Sequence, residues 1–156
     1  MASEVNFACS TCGNGLVLPL AKPDARAVCK RCGGEARLAH APEATDPITC
    51  CAACGSEALF VQRDFNRKLG LAIVVVAALF VVRTWGLSLL LAALADWTLY
   101  RTLPRITVCY ACEAIHRGIP VNPTHGPFDH EIEDEYKEPR SKRQVAAHRW
   151  RREHGG

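Results

Sequence analysis

Eight of the nine cysteines in this chain fall into four Cys-x-x-Cys pairs: Cys9/Cys12, Cys29/Cys32, Cys51/Cys54 and Cys109/Cys112. Four pairs supply the ligands for two four-thiolate metal sites. A 35-residue apolar stretch, residues 69–103, lies between the third pair and the fourth. With that stretch and a charged tail subtracted from 156 residues, no remaining segment can build a large core. Lobes that small need a metal or disulfides to fold. The cysteines are therefore the framework of the fold, and the first question is what they hold.

Disulfides and metal compete for the same thiols, and the compartment decides between them. Met1-Ala-Ser-Glu-Val-Asn6 lacks the basic and apolar parts of an export signal, so the thiols are expected to face a reducing cytosol. A bridge within one Cys-x-x-Cys pair would also close only a very small loop. Metal is the expected use.

Cys9-Ser-Thr-Cys12-Gly13 is followed sixteen residues later by Cys29-Lys-Arg-Cys32-Gly33. That spacing is the Cys-x2-Cys-x15–20-Cys-x2-Cys pattern of a zinc site. Each pair forms a tight knuckle that aims two thiolates at one ion, and the glycine after it permits the positive φ such a turn favours. Between the knuckles, residues 16–20 read as a strand, residues 22–25 as a turn, and Ala27-Val28 and Glu35–Leu38 as further short strands. Residues 1–40 thus resemble a zinc ribbon. Four thiolates on Zn²⁺ carry a formal charge of −2, which Lys30 and Arg31 can offset. Iron, as in rubredoxin-like sites, is the less favoured metal, since four thiolates alone do not separate the two.

Residues 41–48 read as a linker rich in proline, alanine and acids. Cys51 and Cys54 then need partners, and Cys109 and Cys112 supply them, although 54 residues intervene and Glu113 replaces the glycine after the last knuckle. The expected second domain is therefore split, residues 49–68 and 104–122. Cys50 is a spare thiol. His116, beside Arg117, is expected to be exposed rather than a ligand.

The apolar stretch divides at Arg83-Thr-Trp-Gly86 into halves of about 17 residues, 69–85 and 87–103, near the lower limit for crossing a bilayer. Basic residues flank both outer ends. The expected fold class is accordingly small metal-stabilised β, built of zinc ribbons, plus an α-helical membrane hairpin. The hairpin is expected either as two short crossing helices or as a re-entrant wedge, and the cost of burying Arg83 in a wedge favours the crossing. The expected location is integral to a membrane, with termini and zinc sites cytoplasmic. Asp96 is expected to pair with Arg101 at the membrane surface.

In the tail, residues 123–156, an acidic run is followed by a basic one. Phe128, Ile132 and Tyr136 recur at helical spacing, predicting a short helix over about 128–138 that Pro139 ends. The basic segment 140–152 reads as a solvated tail. With 19 basic and 16 acidic residues, the net charge of +3 is too small to imply nucleic acid by itself.

The second half resembles the LITAF-like domain in architecture: a Cys-x-x-Cys knuckle, an apolar membrane segment, then a second knuckle completing one zinc site. That resemblance implies Cys51, Cys54, Cys109 and Cys112 as the ligands; Thr107 stands where the family usually carries a histidine. The expected cofactor is Zn²⁺, two ions per chain. The six histidines show no spacing that would make a catalytic constellation, so the chain reads as non-enzymatic: a membrane-anchored zinc module that engages the bilayer and a protein partner. Two other readings are a redox or metal-handling protein using the Cys-x-x-Cys pairs, and a nucleic-acid-binding ribbon.

Overall fold

A computed structural model describes residues 3–20, 26–40, 42 and 45–154. The expected turn at 22–25 and part of the 41–48 linker lie outside the described residues. The elements in chain order are β1 (Glu4–Ala8), β2 (Gly15–Pro19), β3 (Arg26–Val28), β4 (Glu35–Arg37), β5 (Leu59–Arg63), α1 (Arg67–Phe80), α2 (Leu87–Thr102), β6 (Arg105–Cys109), β7 (Ile115–Arg117) and α3 (His130–His154). This is a small mixed α/β fold with two antiparallel sheets and three helices among the described residues. It divides into two compact units, residues 1–62 with 106–156, and residues 63–105.

In the first unit, a five-stranded sheet runs in the order β2-β1-β7-β6-β5, and β3 pairs with β4 in a separate two-stranded sheet. Strand β1 pairs with β2 through Val5↔Leu18 and, on its other edge, with β7 through Val5↔His116. Strands from both cysteine-bearing halves therefore share one sheet. The alternation in β2 explains its seating: Leu16 and Leu18 point inward while Gly15, Val17 and Pro19 face solvent. Val5, Leu18, Leu20, Ile48, Leu59 and Ala114 form the main core together with Cys51 and Cys109. A second cluster stacks Tyr110 against Phe60, ring centroids 4.5 Å apart, and against Phe128 at 5.8 Å. The buried Tyr110 hydroxyl accepts the Asp129 N–H at 2.6 Å, which ties the start of the tail to the sheet.

Helix α3 extends far beyond the expected 128–138 segment and continues through Pro139 to His154. Proline inside a helix removes one hydrogen bond and costs about 3 kcal/mol. Contacts on both sides of it hold the helix together: Tyr136 packs against the core, and Trp150 packs against Leu16 and the first cysteine cluster. Its semi-buried positions Glu133, Tyr136, Arg140, Ala147, Trp150 and Arg151 fall on one face.

In the second unit, α1 and α2 form a helical hairpin. The Asn66 side chain caps α1 by accepting the Lys68 N–H at 3.0 Å. Residues 81–86 form the turn, with Trp85 at φ 52 and Gly86 at φ 84. The helices meet through small residues: Ala77 and Ala92 are buried, and the Ser88 hydroxyl donates to the Ala77 carbonyl at 2.9 Å. At the hairpin base, the Arg63 guanidinium donates to the carbonyls of Arg101 and Leu103. Arg101 itself stacks over Trp97 rather than reaching Asp96, one of whose carboxylate oxygens is buried without a hydrogen-bond partner among the described residues.

The hairpin corrects the expected membrane hairpin. No helix among the described residues is long and apolar enough to cross a membrane. Helix α1 has 14 residues and α2 has 16, about 21 and 24 Å, against a hydrocarbon core of about 30 Å. Counting apolar residues overstates the first half, because the turn at 81–86 takes residues 81–85 from it, while the second half loses only Leu103. Asp96 and Arg101 also fall within α2. The fold-class expectation of a membrane hairpin and the integral-membrane location expected from it are both overturned.

Candidate metal centres

All four Cys-x-x-Cys pairs adopt one backbone turn. In the first, the Cys9 N–H donates to the Asn14 carbonyl and the Gly13 N–H returns to the Cys9 carbonyl, each at 2.8 Å. The same two bonds recur as Cys29/Gly34 with Gly33/Cys29, Cys51/Ser56 with Gly55/Cys51, and Cys109/Ala114 with Glu113/Cys109. The residue after each second cysteine lies in the left-handed region: Gly13 at φ 68, Gly33 at φ 71, Gly55 at φ 77 and Glu113 at φ 59. A fixed turn of this kind points successive amides and two sulfurs toward a common centre.

The knuckles converge in two sets. Cys9, Cys12, Cys29 and Cys32 form one cluster, and Cys51, Cys54, Cys109 and Cys112 form the other, with all sulfurs in a set within 4.8 Å of one another. The closest approaches run between knuckles: Cys12–Cys29 and Cys51–Cys112 at 3.5 Å, Cys9–Cys32 and Cys54–Cys109 at 3.7 Å. A tetrahedral Zn²⁺ with Zn–S bonds of about 2.3 Å sets sulfurs about 3.8 Å apart, so the donor set and the spacing fit zinc. A disulfide would need about 2.05 Å. Each four-cysteine cluster can hold one zinc ion, two per chain.

The electrostatics of the clusters point the same way. Backbone N–H groups of Cys32 and Arg31 hold Cys29 down to about 6, while burial pushes Cys12 up to about 12. Hydrogen bonds from Cys112 and Cys51 hold Cys109 well below the ordinary thiol range, and contact with Cys109 raises Cys51 and Cys112 in turn. Four thiols this close cannot all ionise against one another; a divalent cation at the centre removes the conflict.

The two centres differ in enclosure. In the first, only Cys32 is not buried; in the second, Cys54 is exposed and Cys112 is intermediate. Cys54 and Cys112 open into a cavity of about 570 Å³, which also reaches Cys9 and is walled on α3 by Arg143, His148 and Arg151. Cys50 lies outside both clusters and is partly exposed.

His116 is not the exposed side chain its neighbourhood in the sequence predicts. It is 2% exposed, with Nδ1 at 3.2 Å from the Thr107 carbonyl and Nε2 accepting the Ala52 N–H at 3.2 Å. Those partners require the neutral Nδ1–H tautomer. Burial lowers its basicity, against smaller upward pulls from the Thr107 carbonyl and Cys109. The imidazole thereby holds the knuckle of Cys51 to the β6–β7 hairpin that carries Cys109, and position 107 contributes its carbonyl rather than a ligand. Arg140 and Arg151 are likewise brought to the centres by α3 through spacing that becomes legible only once the helix is known to pass Pro139.

No family model, curated protein or solved structure matches this chain, so the LITAF-like resemblance finds no support beyond the knuckle arrangement.

Proposed function

We propose that this chain is a non-enzymatic zinc-binding module in which two structural four-cysteine sites, Cys9/Cys12/Cys29/Cys32 and Cys51/Cys54/Cys109/Cys112, hold a platform for protein–protein interaction. The observation that carries the reading is the repetition of one knuckle four times, converging in two tetrads whose sulfur spacing suits Zn²⁺. Their placement favours a structural role: Cys51 and Cys109 sit in the main core, and Cys9, Cys12 and Cys29 form the centre of another. The small lobes around them have little else to stabilise them.

The interaction role rests on the hairpin. Its large apolar side chains face outward, with Leu79 77% and Val82 89% exposed, while alanines and Ser88 occupy the helix contact. A surface of that kind marks a docking site, and an apolar protein partner matches it. The test is elemental analysis together with thiol alkylation of the full chain. Two zinc ions and eight cysteines that resist alkylation until a chelator is added are the expected result; cysteines that alkylate freely beside bound metal would instead support exchange chemistry at the Cys-x-x-Cys pairs.

A further inference from the structure

Helix α3 meets both cysteine centres at the same point of the knuckle. Gly13 and Glu113 occupy equivalent positions, each following the second cysteine of its pair in the left-handed region. Arg151 lies over Gly13 so closely that a Cβ there would stand 2.8 Å from Nη2, with the Ala147 methyl at 3.4 Å. Arg140 Nη1 lies 3.3 Å from Glu113 Oε1, and Arg140 also pairs with Glu133. The two arginines are eleven residues apart, three helical turns, and share the face that carries Ala147 and Trp150. Lys142 and Arg149 are exposed instead. The basic half of the helix is therefore sorted into arginines committed to the knuckles and charges left to solvent.

A guanidinium is buried only against compensating charge. Arg140 is 11% exposed and has two carboxylates. Arg151 has a buried Nε with no hydrogen-bond partner among the described residues, and the knuckle beneath it belongs to a tetrad that carries a formal charge of −2 once zinc is bound.

We propose that α3 is a metal-linked strap: Arg151 and Arg140 seat on the first and second knuckles, so that zinc occupancy and docking of the helix reinforce one another. This rests on the two-zinc reading. Linkage makes the coupling reciprocal, so whatever lifts the strap weakens metal binding and whatever removes metal frees the basic half of the helix. The docked strap also forms one wall of the cavity into which Cys54 and Cys112 open, placing access to the second centre under the same control.

The experiment measures the zinc affinity of the full chain by equilibrium competition with a chromogenic chelator, with hydrogen exchange of α3 followed on the same samples. Arg151→Gln and Glu113→Gly are compared with an outer-face control, Lys142→Gln/Arg149→Gln. Groups that orient metal ligands typically change affinity by about 10–100-fold, so each strap variant should bind one of its two ions about tenfold more weakly while the control matches the parent. Glu113→Gly is the decisive variant because it relieves a left-handed non-glycine residue and so should not harm the fold. A strap predicts that α3 loses exchange protection while β1 and β2 keep theirs. Unchanged affinity with an equally protected α3, or a control weakened as much as the strap variants, would overturn the proposal. Fewer than two ions on the parent would instead overturn the zinc reading on which it rests.

Discussion

Arg140 pairs with Glu113 across 3.3 Å, and Glu113 is the residue that stands where the other three knuckles carry glycine. A non-glycine residue in the left-handed region costs about 1–2 kcal/mol. Here the side chain that creates the strain also supplies the contact that fixes the tail helix to the second centre. Replacing Glu113 by alanine keeps the strain and removes the pair, whereas glycine removes both. Urea unfolding should place Glu113→Gly about 1 kcal/mol above Glu113→Ala in stability. Equal stabilities would mean that the backbone at 113 is not strained.

The first ribbon offers a matched comparison. A Cβ added at Gly33 would meet nothing within 4 Å, whereas one at Gly13 would collide with the Arg151 guanidinium at 2.8 Å. Both substitutions carry the left-handed penalty of about 1–2 kcal/mol, and only Gly13→Ala must also shift the Arg151 guanidinium. Gly13→Ala should therefore be the more destabilising, and the excess should disappear in an Arg151→Ala background. An excess that persists there would exclude Arg151 as its cause.

His116 links pH to stability. Because the folded state holds its imidazole neutral below the ordinary value of 6.5, the unfolded chain binds more protons in that range. Its contribution is fully present above pH 6.5 and is lost as pH falls through the depressed folded value. Replacing it with glutamine should flatten that part of the acid limb in a stability–pH profile. His116→Phe should cost about 1–3 kcal/mol, because it strands the buried Ala52 N–H. An unchanged acid limb in His116→Gln would show that the histidine does not titrate differently on folding.

At the other end of the tail, Tyr110→Phe deletes the acceptor of the Asp129 N–H and leaves the ring stack with Phe60 and Phe128 in place. The loss should be about 1 kcal/mol, with faster hydrogen exchange confined to the first turns of α3. Loss of protection throughout the sheet would place the hydroxyl in a larger network than the one seen.

The tetrads are legible in the sequence because metal ligation imposes spacing: Cys12 to Cys29 fits the compact ribbon rule, and Cys51 and Cys54 have no paired partners other than Cys109 and Cys112. Strand β2 is legible because Leu16 and Leu18 alternate with exposed neighbours. The second half of the hairpin is legible to within one residue, but the first is not visible as a helix of 14 residues, since hydropathy does not register a turn that uses the apolar residues 81 and 82. Taken locally, Pro139 ends a helix, yet tertiary anchors at Tyr136 and Trp150 carry α3 through it. His116 is hidden for a related reason: the Ala52 amide that it satisfies is 64 residues away.

The most direct measurement is the zinc content of the full chain beside a Cys109→Ser/Cys112→Ser variant, determined by elemental analysis. Two ions per chain should fall to one, with the first tetrad still loaded. One ion in both proteins would contradict the split second centre, because Cys51 and Cys54 would then not share a metal with Cys109 and Cys112.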